Sequence, residues 1–240
     1  MHWNSDRAIR YDQWVKSPKG SFALRQEQKL LQAMIAHWPR RKQKLLDIGC
    51  GTGTFLEFFW SCGFDVTGLD SSPDMLALAR EKIGVRADLH LGQAEHLPFD
   101  DREFDYVTLT TVLEFVHDPA LVLREAARVS RKGVLITFLN RFSWYGLSVR
   151  LSKKKSTLAN ARWFSWPEMQ TLIQGTIQPG SIAGCSILFG PPATWSQAPI
   201  MRHMNSLSLW PWVGALTAVR VEMTPPLAQT PLMAWKTEPT

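Results

Sequence analysis

Residues 45–55 read LLDIGCGTGTF, an apolar run that leads into three glycines spaced two apart, at positions 49, 51 and 53. The apolar run predicts a buried strand, and residues 54–61 continue with the pattern of a buried helix. Glycines between the two elements let a ligand approach the backbone where a Cβ would clash. The free N–H groups at the start of the helix would point at the same place. The segment therefore predicts a strand, a ligand-binding turn and a helix.

The spacing of the glycines argues against two common nucleotide sites. A dinucleotide fingerprint needs glycines at its first, third and sixth positions, and the sixth position here is Thr54. A P-loop needs Lys followed by Ser or Thr after its last glycine, whereas Gly53 is followed directly by Thr54 without a lysine. Asp47, two residues before Gly49, would repel a pyrophosphate and would favour a ligand that carries a cationic amine or sulfonium.

A second acidic residue, Asp70, ends the next predicted strand, 21 residues after Gly49. An acid at about this distance is placed to accept hydrogen bonds from a ribose diol. The alternative is that Asp70 caps the helix that begins at Pro73. Ser72 can provide that cap without help, which favours a binding role for Asp70. The ligand is therefore expected to contain a nucleoside.

Four segments in this order, 45–55, 66–76, 92–99 and 104–109, resemble the class I S-adenosylmethionine-dependent methyltransferases. The resemblance is strongest to the type 11-like branch, which acts on small molecules, and it covers about residues 8–140. It implies S-adenosylmethionine as the cofactor and methyl transfer to a small molecule. It also implies an α/β fold with a doubly wound, mostly parallel seven-stranded sheet, helices on both faces and an antiparallel last strand.

The resemblance further implies which residues contact the cofactor. The glycine turn would line its methionine and ribose parts, with Asp47 near the amino group and Asp70 on both ribose hydroxyls. Gln93 stands where the family often has an acid, so its contact with the adenine amine would be weaker or would use the amide oxygen. The implied contact residues are Asp47, Gly49, Cys50, Gly51, Gly53, Leu69, Asp70, Ser71, Met75, Gln93, Ala94, Glu95, Thr110 and Thr111.

Catalytic residues are harder to predict, because methyl transfer from a sulfonium is an in-line displacement. Alignment and desolvation supply much of the rate, and a base is needed only if the nucleophile carries a proton. The segment after the fourth strand should face the methyl group, and Glu114 and His117 are its titratable candidates. His117 could instead belong to a helix cap and turn. Tyr11, in a predicted amino-terminal lid, and Arg141, which could clamp an acceptor carboxylate or phosphate, complete the candidate set.

Charge is distributed unevenly along the chain. Residues 1–140 carry 18 Lys plus Arg and 18 Asp plus Glu, whereas residues 141–240 carry 9 and 3. A basic cluster of Arg150, Lys153, Lys154, Lys155 and Arg162 could steer an anionic acceptor. It could equally be a solvated surface, or contact nucleic acid, although no nucleic-acid-binding module is recognisable.

Tryptophan is abundant, with 11 residues in a chain of 240. Many of them fall in three regions that the resemblance places around the carboxyl ends of the strands. Aromatic walls there would suit an aromatic or otherwise apolar acceptor, although packing of lid segments would also use them. Membrane-surface contact is disfavoured because residues 191–226 lack an amphipathic period. These tryptophans are Trp3, Trp14, Trp144, Trp163, Trp166, Trp195, Trp210 and Trp212.

The chain is expected to form one methyltransferase domain over residues 1–240. Within it we expect an amino-terminal lid or helix at 1–38, a cofactor-binding core at 44–140 and an acceptor-pocket elaboration at 141–240. Hydrophobic residues make up 45% of the chain, and no apolar run reaches the length of a membrane span. The 3 cysteines lack metal-ligand spacing and no signal peptide pattern precedes them, which favours a cytoplasmic enzyme without a metal.

Alternation of apolar patterns predicts strands and helices in turn, as expected for a parallel sheet covered by helices. The predicted helices are 22–37, 54–61, 73–82, 119–129 and 167–174. The predicted strands are 44–48, 65–69, 86–91, 106–109, 133–139, 181–189 and 216–223. Two other functions stay open: a non-catalytic protein that senses S-adenosylmethionine or S-adenosylhomocysteine, and a methyltransferase that acts on RNA or protein.

Overall fold

The computed structural model describes residues 5–151, 158, 161–206 and 211–223. Their strands form one seven-stranded sheet with the order β3-β2-β1-β4-β5-β7-β6. The strands are β1 Lys44–Ile48, β2 Asp65–Asp70, β3 Ala87–Leu91, β4 Phe104–Thr110, β5 Ser130–Leu139, β6 Pro179–Ile187 and β7 Leu216–Met223. The helices are α1 Ser5–Lys16, α2 Pro18–Met34, α3 Thr54–Ser61, α4 Pro73–Ile83, α5 Pro119–Val129, α6 Trp144–Leu151, α7 Trp166–Thr176 and α8 Pro199–Ser206.

The predicted sheet architecture is confirmed. Strands β1 to β5 pair in parallel, whereas β7 runs antiparallel to both β5 and β6. Strands β2 and β3 are added on one side of β1, whereas β4 and β5 follow on its other side. The strand order therefore switches between the neighbours β1 and β4. Loops that follow two such strands part from each other and leave a crevice at the carboxyl end of the sheet. The glycine turn after β1 and the segment after β4 therefore border one crevice.

Helices cover both faces of the sheet and form two hydrophobic cores. One core contains side chains of α2 and α3, including Phe22 and Phe59, and the other contains side chains of α5 and α7, including Leu123 and Met169. The central strand β4 is buried along almost its whole length. Because both faces are covered, even its polar residues Asp105 and Thr108 are buried.

Several element boundaries differ from the predicted ones for local reasons. The predicted helix 22–37 begins earlier, at Pro18, because Ser17 caps it: the Ser17 Oγ accepts from the Gly20 N–H at 3.1 Å. Proline in the first turn has no N–H to leave unpaired, so it suits this start. Two short helices, α6 and α8, are absent from the prediction. Large apolar side chains on both are exposed, so their sequences carry no clear buried stripe.

No helix among the described residues has the length and apolar character needed to cross a membrane. The tryptophans predicted to form aromatic walls divide into several groups. Trp166 and Trp195 are buried in the two cores, and Trp163 packs edge-on against Tyr145. Trp14, Trp144 and Trp212 are exposed. Trp3 and Trp210 lie outside the described residues, as do Lys153, Lys154 and Lys155 of the predicted basic cluster.

Candidate active site

The glycine turn uses backbone angles that other residues avoid. Gly49, Gly51 and Gly53 have φ values of +69°, +54° and +76°. A Cβ added to Gly49 would lie 2.6 Å from the Val112 Cγ2, and one added to Gly53 would lie 3.1 Å from the Ala79 Cβ. A Cβ on Gly51 would meet no described protein atom within 4 Å. The first and third glycines are therefore required by packing of the chain itself, whereas the second faces open space.

Asp70 links the glycine turn to the end of β2. Its Oδ2 accepts from the Gly51 N–H at 2.9 Å, and its Oδ1 accepts from the Ser72 N–H at 2.8 Å. The cap of α4 is provided by Ser72, whose Oγ accepts from the Met75 N–H at 3.3 Å. Burial raises the pKa of Asp70, and the backbone hydrogen bonds oppose that rise. Each carboxylate oxygen keeps a further lone pair that could accept from a ligand hydroxyl.

Asp47 lies beneath the turn and is only 1% exposed. Its Oδ1 accepts from the Thr108 hydroxyl at 2.7 Å, which ties the end of β1 to β4. Burial raises the pKa of Asp47 to about 7, the Thr108 hydrogen bond opposes the shift, and the charge of Asp70 adds to it. A cation bound beside this carboxyl would offset the loss of water around it.

Glu114 is only 3% exposed, on the segment that follows β4. Its Oε1 accepts from the Leu139 N–H at 2.6 Å, whereas its Oε2 has no hydrogen-bond partner among the described atoms. Burial raises the pKa of Glu114 to about 8. Glu114 is thus a buried acid of the predicted catalytic segment with only one of its two oxygens hydrogen-bonded.

Glu27 of α2 is a half-buried acid that is absent from the predicted site residues. Its Oε1 is buried and also lacks a partner in the part of the chain that the structure describes. Burial raises the pKa of Glu27 to about 8, and the charge of Glu114 raises it further. The position of Glu27 gave a usable signal: it lies four residues after Ala23 and four before Leu31, both buried, so it shares the inward face of α2.

Tyr11 of α1 connects these acids into one group. Burial raises the pKa of its hydroxyl, and the charges of Glu27, Asp47 and Asp12 raise it further. We call Tyr11, Glu27, Asp47 and Glu114 the acidic cluster. Its members come from α1, α2, β1 and the segment after β4, so only the folded chain brings them together. Two of them, Tyr11 and Glu114, are predicted catalytic candidates.

Ligand-free protein should be less stable at high pH because of this cluster. A carboxyl whose pKa is about 8 when folded, against an ordinary 4.5, keeps a proton that the unfolded chain releases. The stability that this protonated carboxyl contributes is therefore fully present below pH 4.5 and is lost as the pH rises towards 8. We expect Glu27→Gln, which cannot ionise, to raise the Tm at pH 9 by about 3 °C or more relative to the wild type.

Thermal melts at pH 5 and pH 9 would check this prediction. Glu81→Gln is the matched control, because Glu81 is an exposed acid on α4. A pH dependence of Glu27→Gln identical to that of the wild type would contradict the role of Glu27 in the loss of stability.

Thr111, next to the end of β4, has a strained backbone. Its φ is +55°, which is unusual for a β-branched residue. Its N–H donates to the Thr137 Oγ1 and to the Thr137 carbonyl, both at 3.1 Å, so β5 holds it in place. Thr110 directly precedes it in β4. Such strain persists only where the surroundings fix it, and it is frequent at functional sites.

The predicted adenine-binding residues surround the far side of the turn. Leu69 and Met75 are buried, Ala94 is half-buried, and Gln93 and Ser71 are exposed. Cys50 is buried, and its N–H donates to the Leu69 carbonyl at 3.0 Å. Buried apolar side chains beside exposed polar ones suit a flat ring that is covered on one face and bound at its edge.

Two predicted catalytic residues are placed away from the acidic cluster. His117 is exposed, and its backbone N–H donates to the Glu95 Oε1 at 3.2 Å. It therefore belongs to the turn that precedes α5. Arg141 is paired with Glu168 at 2.8 Å, and its Nη2 donates to the Trp163 carbonyl at 2.8 Å. Arg141 lines a cavity of about 340 Å³ with Arg162 and Phe164, and the Arg162 N–H donates to the Glu114 carbonyl at 2.9 Å. The predicted clamp of Arg141 on an acceptor anion would require it to leave Glu168.

Comparisons with known proteins agree with this geometry. Residues 46–138 match the family described as a methyltransferase domain. The fold superposes with a TM-score of 0.76 on the crystal structure of an S-adenosylmethionine-dependent methyltransferase from Thermotoga maritima, described as a possible histamine N-methyltransferase. The two chains are 25% identical, and the match covers 92% of this chain and 98% of that one. Residues 46–138 therefore form a methyltransferase domain, and the fold is that of S-adenosylmethionine-dependent methyltransferases.

Two curated relatives of this methyltransferase show how far the likeness extends. The uncharacterized protein MJ1123 of Methanocaldococcus jannaschii is 34% identical over 152 residues, which are 62% of this chain and 67% of that protein. A demethylmenaquinone methyltransferase of Staphylococcus aureus is 38% identical over 106 residues, 42% of this chain and 44% of that protein. Matches to other curated relatives span about half of their length.

The cofactor of these methyltransferases, S-adenosylmethionine, carries a sulfonium, an ammonium group and a ribose diol. The described residues fit such a molecule. The open space beside Gly51 would admit it next to the Asp70 carboxylate. No group of three metal-binding side chains occurs among the described residues.

Proposed function

We propose that this methyltransferase transfers the methyl group of S-adenosylmethionine to a small-molecule acceptor and releases S-adenosylhomocysteine. The observation that carries the proposal is the turn between β1 and α3. Gly51 leaves open space directly beside Asp70, a buried acid whose two oxygens already fix the turn and retain lone pairs. A nucleoside with a ribose diol matches that combination.

The proposed contacts follow the parts of the cofactor. Asp70 would accept from both ribose hydroxyls, Asp47 would face the ammonium group, and Leu69 and Met75 would cover the adenine ring. Gln93, Ala94 and Glu95 would meet its edge. The remaining proposed contacts are Gly49, Cys50, Gly51, Gly53, Ser71, Thr110 and Thr111.

When bound, the cofactor supplies an electrophilic methyl group on a positively charged sulfur. The chain must then hold the acceptor in line with that carbon and keep water away. The strained Thr111 and the buried Glu114 would shape the space beyond the methyl group, and α1 would cover it. Little further chemistry is required of the side chains, since the displacement itself needs no covalent intermediate.

Names of similar proteins leave the acceptor open. The Thermotoga protein is described as a possible histamine N-methyltransferase, whereas the Staphylococcus relative is named for demethylmenaquinone. These names support a small molecule as the acceptor. We expect the cytoplasm as the compartment, because the three cysteines, Cys50, Cys62 and Cys185, are free thiols.

Incubation with methyl-labelled S-adenosylmethionine and a metabolite extract tests the proposal. We expect label in a small-molecule product and calorimetric binding of both S-adenosylmethionine and S-adenosylhomocysteine. Binding without transfer to any fraction would contradict the proposal and support a sensor. Label in RNA or protein fractions would also contradict it, in favour of a macromolecular acceptor.

A further inference from the structure

The segments that follow β5 and β6 and precede β7 carry apolar side chains that face solvent. Most of the large apolar residues that are exposed in the described part of the chain lie at positions 142–213. Single apolar residues on a surface are normal, whereas a contiguous group of them marks an interaction site. The proposed cofactor contacts include none of these side chains.

Helix α6 turns an apolar stripe towards solvent. Trp144, Leu147 and Leu151 are spaced by three and four residues, which places them on one face of the helix. All three are exposed, Trp144 by 61% and Leu151 by 74%. On the other face of α6, Tyr145 packs edge-on against Trp163. A surface helix normally has polar residues on its outer face, so the outer face of α6 is suited to a partner rather than to water.

The loop before β7 extends this apolar stripe. Trp212 and Val213 are exposed in that loop, and Phe142 is exposed just before α6. The Asn140 side chain joins the two segments, because its Oδ1 accepts from the Phe142 N–H at 3.0 Å and its Nδ2 donates to the Trp212 carbonyl at 2.8 Å. The backbones of Phe142 and Trp212 are therefore neighbours.

Helix α8 contributes a third exposed apolar segment. Its large apolar side chains are Ile200, Met201 and Met204, all exposed. Leu188 fixes the end of the helix: its N–H donates to the Asn205 carbonyl, and its carbonyl accepts from the Ala215 N–H, both at 3.1 Å. Helix α8 therefore ends beside the loop that precedes β7. We call the exposed residues of 142–151, 199–206 and 211–213 the apolar surface.

The apolar surface lies at the carboxyl edge of the sheet. Leu139 at the end of β5 and Ile187 at the end of β6 both pair with Leu216, the first residue of β7. The three segments of the surface therefore leave the sheet at one end. Strands β1 and β4 end at the same edge and border the crevice there. Whatever covers the apolar surface would thus lie on the crevice side of the molecule.

Charge selects the kind of partner that fits this surface. The segments 142–151, 199–206 and 211–213 contain Arg150, Arg202 and His203 but no Asp or Glu, and three lysines follow α6 in the sequence at 153–155. Both arginines are exposed. An anionic lipid surface takes up apolar and aromatic side chains at its interface and attracts basic residues beside them. A symmetric contact with a second copy would instead place one basic surface against another, which is unfavourable.

We propose that the apolar surface docks on membranes that contain anionic lipids. Its aromatic and aliphatic side chains enter the headgroup region, and its arginines contact the lipid phosphates. Docking goes beyond the proposed function and does not depend on it, because it requires neither cofactor nor acceptor. The missing amphipathic period in residues 191–226, which disfavoured membrane contact, has a structural reason: α8 occupies only 8 of these residues, and α6 lies before them.

Flotation of the full chain with lipid vesicles tests the proposal. Vesicles of phosphatidylcholine alone are compared with vesicles that also contain about 30% phosphatidylglycerol, in the absence of S-adenosylmethionine. We expect about tenfold or more tighter binding to the anionic vesicles, because two arginines approach the lipid phosphates. Failure to float with anionic vesicles, or equal binding to both kinds of vesicle, overturns the proposal. Either result leaves the proposed methyl transfer untouched.

Variants test whether this surface is the one that binds. Trp144→Ala combined with Leu147→Ala should weaken vesicle binding by about tenfold or more, because two apolar side chains no longer enter the lipid. Arg150→Gln should weaken binding to anionic vesicles by about fivefold. Trp60→Ala and Arg80→Gln change an exposed tryptophan on α3 and an exposed arginine on α4, and serve as matched controls. Unchanged binding in the surface variants, or equal losses in the controls, overturns the proposal.

The mass of the protein in solution separates a membrane from a second copy as the partner. Without lipid, we expect light scattering to give the same mass for the wild type and for the variant that combines Trp144→Ala and Leu147→Ala. A wild-type dimer that this variant converts to a monomer would assign the apolar surface to a second copy and overturn the proposal. Because the substituted side chains are exposed, the variant should keep the Tm of the wild type, which shows that it is folded.

Discussion

Replacing Asp70 by alanine is expected to weaken the binding of S-adenosylmethionine by about 100-fold. A hydrogen bond to a charged group contributes about 1.5–3 kcal/mol, so losing two ribose contacts removes about 3 kcal/mol or more. Each 1.4 kcal/mol corresponds to about a tenfold change in affinity. The variant also loses the bonds from the Gly51 and Ser72 N–H groups to the carboxylate, so the turn itself would be held less firmly.

Isothermal calorimetry with S-adenosylmethionine and S-adenosylhomocysteine measures this effect. Asp65→Ala is the matched control, because Asp65 is an exposed acid at the opposite end of the same strand. Asp70→Asn keeps the size of the side chain and should lie between the wild type and Asp70→Ala. If Asp70→Ala bound S-adenosylmethionine as tightly as the wild type, Asp70 would not be a cofactor contact. NAD is expected to give no measurable heat with any of these proteins.

Gly49→Ala is expected to destabilise the fold by about 3 kcal/mol. A non-glycine residue at a φ of +69° costs about 1–2 kcal/mol, and the new Cβ would be only 2.6 Å from the Val112 Cγ2. Overpacking of a buried contact adds about 1–3 kcal/mol, because Val112 must move. For a chain of this size the Tm should fall by about 10 °C, as measured by thermal or urea unfolding.

Gly51→Ala provides the matched comparison within the same turn. Its φ of +54° also carries strain, but its Cβ would meet no described atom within 4 Å. We therefore expect a smaller loss of stability, about 1–2 kcal/mol, together with a strong loss of cofactor affinity. Equal destabilisation by the two substitutions, or normal affinity in Gly51→Ala, would contradict the view that Gly51 faces the bound cofactor.

The elements that local sequence determines could be predicted closely. Strand β1, helix α3, helix α5 and strand β7 have the boundaries that their apolar patterns predicted. Each is a continuous buried run or a clear helical stripe, bounded by residues such as Gly53 or Pro119. The mostly parallel sheet followed from the order of these elements along the chain.

The acidic cluster could be predicted only in part. Asp47 lies two residues before Gly49, so the glycine motif locates it. Glu27 and Tyr11 join the cluster only because α2 packs against β6 and β7 and α1 packs on α2 and α4. The ion pair between Arg141 and Glu168 depends on where α7 packs. Contacts of this kind are set by tertiary packing and leave no local pattern.

The position of β7 between β5 and β6 has a consequence for synthesis on the ribosome. Five parallel strands are complete once Leu139 has been made, but the space beside β5 belongs to a strand that ends at Met223. Strand β6 emerges earlier and has to wait for the same partner. Until then β5 presents unpaired N–H and carbonyl groups, which can pair with a neighbouring chain. The protein is therefore most prone to aggregate when translation slows or stops between Leu139 and Met223.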